Sequence, residues 1–279
     1  RDRSPSRGLG DVYKRQLMEK KILYLLTCVG LCWSSCTNEV DEFIGNVEPS
    51  TRSVSTALNA NLASLFTGGA PTLTSAEIKE VNDAYAKMTS INCYRNIDEA
   101  VRNKTSYAGT IFLDDTYASA YFRKGSLAFP PYGILASSME HEFIHMYQRD
   151  VQGKKVDTDK EKRDTGMMEF ELAFYQGIIR YIHAGYSWTF KGEDGDPSYQ
   201  SLWTSGLTDP SLIPQYEREF QTYVASICAN GKPTSIDINE FVKWSNIFGE
   251  YSRGYSGKGY KFGNYDYGTS CINSLLKLY

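Results

Sequence analysis

Residues 134–150 read ILASSMEHEFIHMYQRD, and within them stands His141-Glu142-Phe143-Ile144-His145. Ile134, Leu135, Met139, Phe143, Met146 and Tyr147 flank the motif with apolar side chains at helical spacing. The stretch therefore predicts a helix from about Ile134 to Asp150, closed near Gly153. Residues four apart lie about one turn apart on the same helical face. His141 and His145 can thus offer two imidazoles to one Zn²⁺. Glu142, beside the first of them, can reach a water without ligating the metal. Zinc brings the pKa of such a water towards 7, and the carboxylate takes its proton. The chain holds three histidines in all, so an accidental pair at this spacing is improbable.

A catalytic zinc wants three protein ligands and an open position. His183 is the remaining histidine, and Met167 to His183 reads as a second strong helix bearing Glu169 and Glu171. At 3.6 residues per turn, Glu171 shares a face with Met167, Met168, Phe174, Tyr175, Ile178 and Ile182, a wide apolar stripe. Glu169 shares one with Thr165, Gly166, Leu172, Ala173 and Gln176, which is more polar. A carboxylate in the apolar stripe is buried and needs a compensating partner, and zinc is one. Glu171 is thus the expected third ligand. Glu169 is expected to stay solvated or to support a ligand from outside, with His183 as the remaining alternative.

His141 to Gln148, an H-E-x-x-H-x-x-Q run, together with Glu169 to Tyr175, resembles the gluzincin-type zinc metallopeptidases, specifically HExxH lipoproteins of the Bacteroides group. The resemblance implies a zincin-like core: a small sheet whose edge strand binds an extended peptide, an active-site helix beneath it, and a glutamate helix alongside. Thr110 to Leu113 or Leu127 to Phe129 would supply the edge strand by β-augmentation. The chain departs from the thermolysin-like pattern at one place. The aspartate expected four residues after the ligand glutamate is absent, with Ala173 and Tyr175 at the two positions concerned. The residue that orients a zinc-bound histidine must come from elsewhere. Tyr260, Tyr265 and Tyr267 are candidate phenols for an oxyanion donor.

The chain has 279 residues, a formal net charge of −3, 41% hydrophobic and 23% charged residues. That is a globular composition without the basic excess of a nucleic-acid binder, and no nucleic-acid partner is expected. No apolar run reaches the roughly 20 residues of a membrane-spanning helix. Residues 1–17 are basic and aperiodic and read as a non-native translated adapter. From Met18 the text changes to a short basic opening, the apolar run Ile22 to Leu31, small serines and Cys36. This is the plan of a lipoprotein signal peptide over residues 18–35, with Cys36 as the lipid-anchored residue. Trp33-Ser34-Ser35-Cys36 resembles a lipobox, although Trp33 replaces the usual leucine. Residues 36–55 read as a polar tether, and 56–279 as one zincin-like metallopeptidase domain. The expected location is outside the cytoplasm, on an outer membrane and facing the periplasm or the medium, with a peptide or protein as substrate.

The fold expected is α+β and helix-dominated, with a small sheet beside the active-site helix. Thr74-x-x-Glu77 is a capping box opening a helix over 75–89. A short helix is predicted at Ile97 to Val101, strands at Thr110–Leu113 and Leu127–Phe129, and late helices at Leu212–Ala229 and Asn239–Tyr251. Residues 154–164 read as a charged connector, 187–210 as a long loop, and 254–268 as a Gly- and Tyr-rich tail. Glu193-Asp194-Gly195-Asp196 lacks the spacing of a calcium loop. Cys93, Cys228 and Cys271 allow one disulfide in an oxidising compartment. A binding lipoprotein that kept a zincin fold without catalysis is the competing function. A carbohydrate-binding lipoprotein would use the many aromatics but leaves the HExxH run unexplained.

Overall fold

The computed structural model describes residues 57–117, 119–131, 133–154, 163–183, 209–228, 232–252 and 259–279. The short helix α1 (Ala60–Leu65) is capped by Asn59, whose side chain accepts from the Asn61 N–H. Next, α2 (Ser75–Ser90) opens on the expected capping box: Glu77 accepts from the Thr74 N–H at 2.6 Å, and Thr74 from the Glu77 N–H. Val81, Ala84, Tyr85 and Met88 form its buried stripe. The following helix, α3 (Asn92–Lys104), is longer at both ends than the sequence suggested. Cys93 and Tyr94 extend its buried stripe towards the N-terminus, but intervening Arg95 and Asn96 disguise the period. Asp98 is buried in that stripe and accepts from Tyr85 Oη at 2.8 Å and Arg102 Nε at 2.9 Å, pinning α3 to α2.

Three strands form one sheet: β1 (Ile111–Leu113), β2 (Tyr121–Arg123) and β3 (Ser126–Phe129), in the order β1-β3-β2. β1 runs parallel to β3, whereas β2 is antiparallel to it. The sequence reading missed β2, a three-residue strand. Lys124 (φ 52°) and Gly125 (φ 77°) turn it back into β3, with Arg123 opposite Ser126. Two positive φ values in a two-residue loop suit the right-handed twist of a hairpin. Leu127–Phe129 cannot be the edge strand expected from sequence, because β3 is paired on both sides. Of the two edges, β2 is packed against the motif helix.

That helix, α4 (Ala136–Met146), runs without a break into a π-helical turn, Tyr147–Val151. Gly153, at φ 69°, ends it, and the Lys154 N–H bonds back to the Gln148 carbonyl at 3.0 Å. α4 buries Met139, Phe143, Ile144 and Met146, with α2 and α3 on one side. On another side lies α5 (Arg163–His183). Beyond it come α6 (Ile213–Ile227), α7 (Ile238–Tyr251) and α8 (Ser270–Leu276). Phe170 and Phe174 of α5 meet Phe220 of α6 and Phe241 and Phe248 of α7, with ring centroids 5.0–5.9 Å apart. α4 is thus wedged between the sheet and an aromatic helical core. The architecture is α+β, dominated by helix, with one small three-stranded sheet.

Cys93, Cys228 and Cys271 are buried free thiols, so the disulfide allowed by the count is not formed. Among the described residues no helix is long and apolar enough to cross a membrane. The adapter, signal peptide and tether, the Glu193–Asp196 cluster, most of the charged connector and nearly all of the long loop lie outside the described residues.

Candidate metal centre

Helical spacing brings the His141 and His145 rings together, centroids 4.8 Å apart and nearly perpendicular. Their Nε2 atoms are 3.2 Å apart. The third group comes from α5 and is Glu169. Its Oε1 lies 3.3 Å from His145 Nε2, and its Oε2 lies 3.7 Å from His141 Nε2. Tetrahedral zinc with bonds of roughly 2.0–2.2 Å holds its ligand atoms about 3.3–3.6 Å apart. Two nitrogens and one carboxylate, their ligand atoms all within 4.8 Å of one another, could hold a divalent ion.

Glu171, the expected third ligand, does not join this group. It is buried, as its place in the apolar stripe implied, but its partner is not a metal site. Its Oε2 accepts from Gln148 Nε2 at 2.8 Å and from Tyr267 Oη at 2.8 Å. Glu169 lies where the stripe meets the cleft, its side chain 20% exposed. Burial thus picks out Glu171, but the glutamate beside the imidazoles is Glu169, because the histidines sit at the rim of the core rather than in it. His183 closes α5, fourteen residues after Glu169. The sheet and the C-terminal segment add two neighbours that the motif did not reveal. In the two-residue hairpin, Arg123 and Ser126 form the hydrogen-bonded pair nearest the turn. The Phe122 N–H therefore points away from β3 and towards Glu142, whose charged form it favours.

The electrostatics follow from burial and from one shared carboxylate. Burial pulls His145 down, but Glu169, Glu142 and the Gln148 hydrogen bond outweigh it and carry the ring up to about 9. Burial and the charge of His145 push His141 down to about 4 against the pull of Glu169. The pair thus holds one proton near neutrality, on His145, in the place a cation would take. Burial, with help from Glu169, lifts Glu142 to about 8, although His145 and the Phe122 N–H favour its charged form. Glu142 Oε1 stands 4.0 Å from His141 Nε2, beside the donor set rather than within it.

The three candidate phenols separate. Tyr267 is committed to Glu171, and Tyr265 is exposed. Tyr260 is close enough to Glu169 for that charge, after burial, to raise its pKa. Its backbone is pressed against α5: a Cβ added at Gly166 would meet the Lys261 carbonyl at 2.7 Å and Tyr260 Cβ at 3.3 Å. Glycine at 166 therefore lets the Tyr260 segment approach the helix one turn before Glu169.

Compared with models of protein families, with curated proteins and with solved structures, the chain matches none of them.

Proposed function

We propose that the chain is a zinc-dependent metallopeptidase of gluzincin type, with His141, His145 and Glu169 as ligands and Glu142 as general base. The observation that carries this reading is the convergence of those three ligands from two helices, with Glu142 alongside and the edge strand β2 against the same helix. Zinc held there would polarise a substrate carbonyl and make water more acidic. Glu142 then accepts the proton of the attacking water and returns it to the leaving amine. A cation bound beside Glu142 would favour its charged form, the form that accepts a proton. An extended peptide added to the outer edge of β2, by strand addition, would meet the Phe122 N–H now turned to Glu142. Tyr260 is the phenol best placed, beside Glu169, to steady a developing oxyanion. A zincin-like arrangement of sheet, motif helix and glutamate helix is part of the same proposal. So is export as an outer-membrane lipoprotein anchored through Cys36, supported by Met18 to Cys36.

Native mass spectrometry for zinc, beside digestion of a peptide library with and without chelator, tests the reading. Glu142→Gln should keep the metal and lose about 10²–10⁴-fold in rate. Full activity in that variant would sink the mechanism. Zinc bound without any hydrolysis by the wild type would instead leave a non-catalytic binding lipoprotein.

A further inference from the structure

Gln148 follows His145 by three residues and is wholly buried at the start of the π-helical turn. Its two amide ends have different surroundings. One end faces the Met168 carbonyl at 3.0 Å and Glu171 Oε2 at 2.8 Å. Both of these are acceptors, so that end must be the NH₂ group. The other end is then the oxygen, and it lies 2.8 Å from His145 Nδ1. An amide oxygen can only accept. His145 must therefore donate from Nδ1, and the proton a cation displaces is the one on Nε2, whose lone pair is then left for whatever lies between His141 and Glu169. The polarity of the whole chain is fixed from its far end. Tyr267 Oη donates to the same Glu171 oxygen, so two donors converge on that one atom and hold the carboxylate still.

We propose that Gln148 is a positioning residue that locks the His145 ring and its tautomer for metal binding, with Glu171 and the Met168 carbonyl locking Gln148 in turn. The proposal rests on the metal reading of His141, His145 and Glu169. It supplies the orienting group that the absence of an aspartate at positions 173 and 175 left unassigned. The substitution of amide for carboxylate has a chemical consequence. A carboxylate against Nδ1 would raise the basicity of the imidazole and add a negative charge beside Glu142 and Glu169. An amide fixes the ring equally well and adds none. The Glu171 carboxyl is kept one link further out, where it aligns the amide without facing the ion.

Zinc affinity, measured by chelator competition, is compared in the wild type, Gln148→Met, Glu171→Met and the double variant. Methionine keeps the length and apolar bulk of both side chains but can make neither bond. Gln148→Met should weaken zinc about 10- to 100-fold, the range for groups that orient a ligand. Glu171→Met should weaken it in the wild-type background and cost nothing more once Gln148 is replaced, because its influence passes through Gln148. Two effects that multiply would overturn the proposal. So would a Gln148→Met protein that holds zinc within threefold of a zinc-binding wild type. A wild type that takes up no zinc overturns the metal reading, and this inference with it.

A second readout separates positioning from simple support of the fold. In ¹⁵N-histidine-labelled, zinc-loaded wild type, His145 should show an Nδ1 proton protected from exchange, with close contact to the Gln148 side-chain amide. Gln148→Met should lose that protection at temperatures where the protein remains folded. The wild-type spectrum needs no variant to fold, and an Nδ1 of His145 without a proton there would overturn the proposal on its own.

Discussion

Glu169 and Glu171 stand two residues apart on α5, one with a side chain 20% exposed and the other fully buried. Glu169 lies directly against the two histidine rings. Glu171 sits among apolar residues with a glutamine amide, a phenol and the Cys271 thiol as donors. Burial raises the pKa of Glu171 even so. A buried carboxylate is compensated by whatever donors the fold supplies, and a metal is one choice among several. Ligands belong at the rim, where an open position can admit substrate. The more thoroughly buried of two neighbouring carboxylates is therefore the worse candidate for a catalytic ion.

The contrast breaks first at Glu169. Glu169→Ala should abolish measurable zinc binding, well beyond the roughly 100-fold that limits an orienting group. Isothermal titration of the purified variant checks this, and near-native affinity would remove Glu169 from the ligand set. Glu171 should reveal itself mainly as stability. Glu171→Ala leaves the Tyr267 hydroxyl buried without its acceptor and opens a small cavity, at a cost of about 2–4 kcal/mol in the metal-free protein. Glu171→Gln keeps an oxygen for both donors and should cost less than about 1 kcal/mol. Denaturant melts of the two variants test the pair, and equal losses would mean that the charge, not the shape, is what matters there.

A third measurement sharpens the electrostatic side. His145 has its folded pKa raised to about 9, chiefly by Glu169 against the opposing effect of burial. A metal must displace that proton, so affinity should rise about tenfold per pH unit from neutrality up to about 9 and then level off. The stability of the metal-free protein should move the other way. A group with a raised pKa contributes fully below its unfolded value near 6.5, and that contribution is lost as pH rises through about 9. In Glu169→Ala the stability slope should flatten. Zinc affinity independent of pH in the wild type would contradict a proton shared between His145 and Glu169.

Much of this was legible in the sequence where a residue type and a short spacing coincide. The Thr74–Glu77 box started a helix within one residue of where it was expected. The HExxH run placed two imidazoles and a carboxylate on one face of a helix before any contact was known. Legibility ended where the answer depended on a second element. The third ligand required the position of α5 against α4, and residue 171 looked better by burial alone. The edge strand required β2, whose three residues show too little alternation to be seen. Gln148 was visible as a letter in the H-E-x-x-H-x-x-Q run, but its role depends on Met168 and Glu171, some twenty residues on in the chain. Cysteine count allowed a bridge, but Cys93, Cys228 and Cys271 are all free.

The Lys124-Gly125 turn is remote from the histidines in sequence, yet its length has a consequence for Glu142. Strand residues alternate between two faces and two hydrogen-bonding directions, so each residue added to or removed from a strand reverses both. With two residues in the turn, the Phe122 N–H points outward to Glu142 while its ring lies 4.8 Å from Tyr107 and under the Arg149 guanidinium. A slip of β2 by one residue at that turn would exchange inside for outside along the strand. The N–H would turn towards β3, and the ring would leave its aromatic nest. The acidity of a buried base is thus tied to how firmly a surface turn holds the register of its strand.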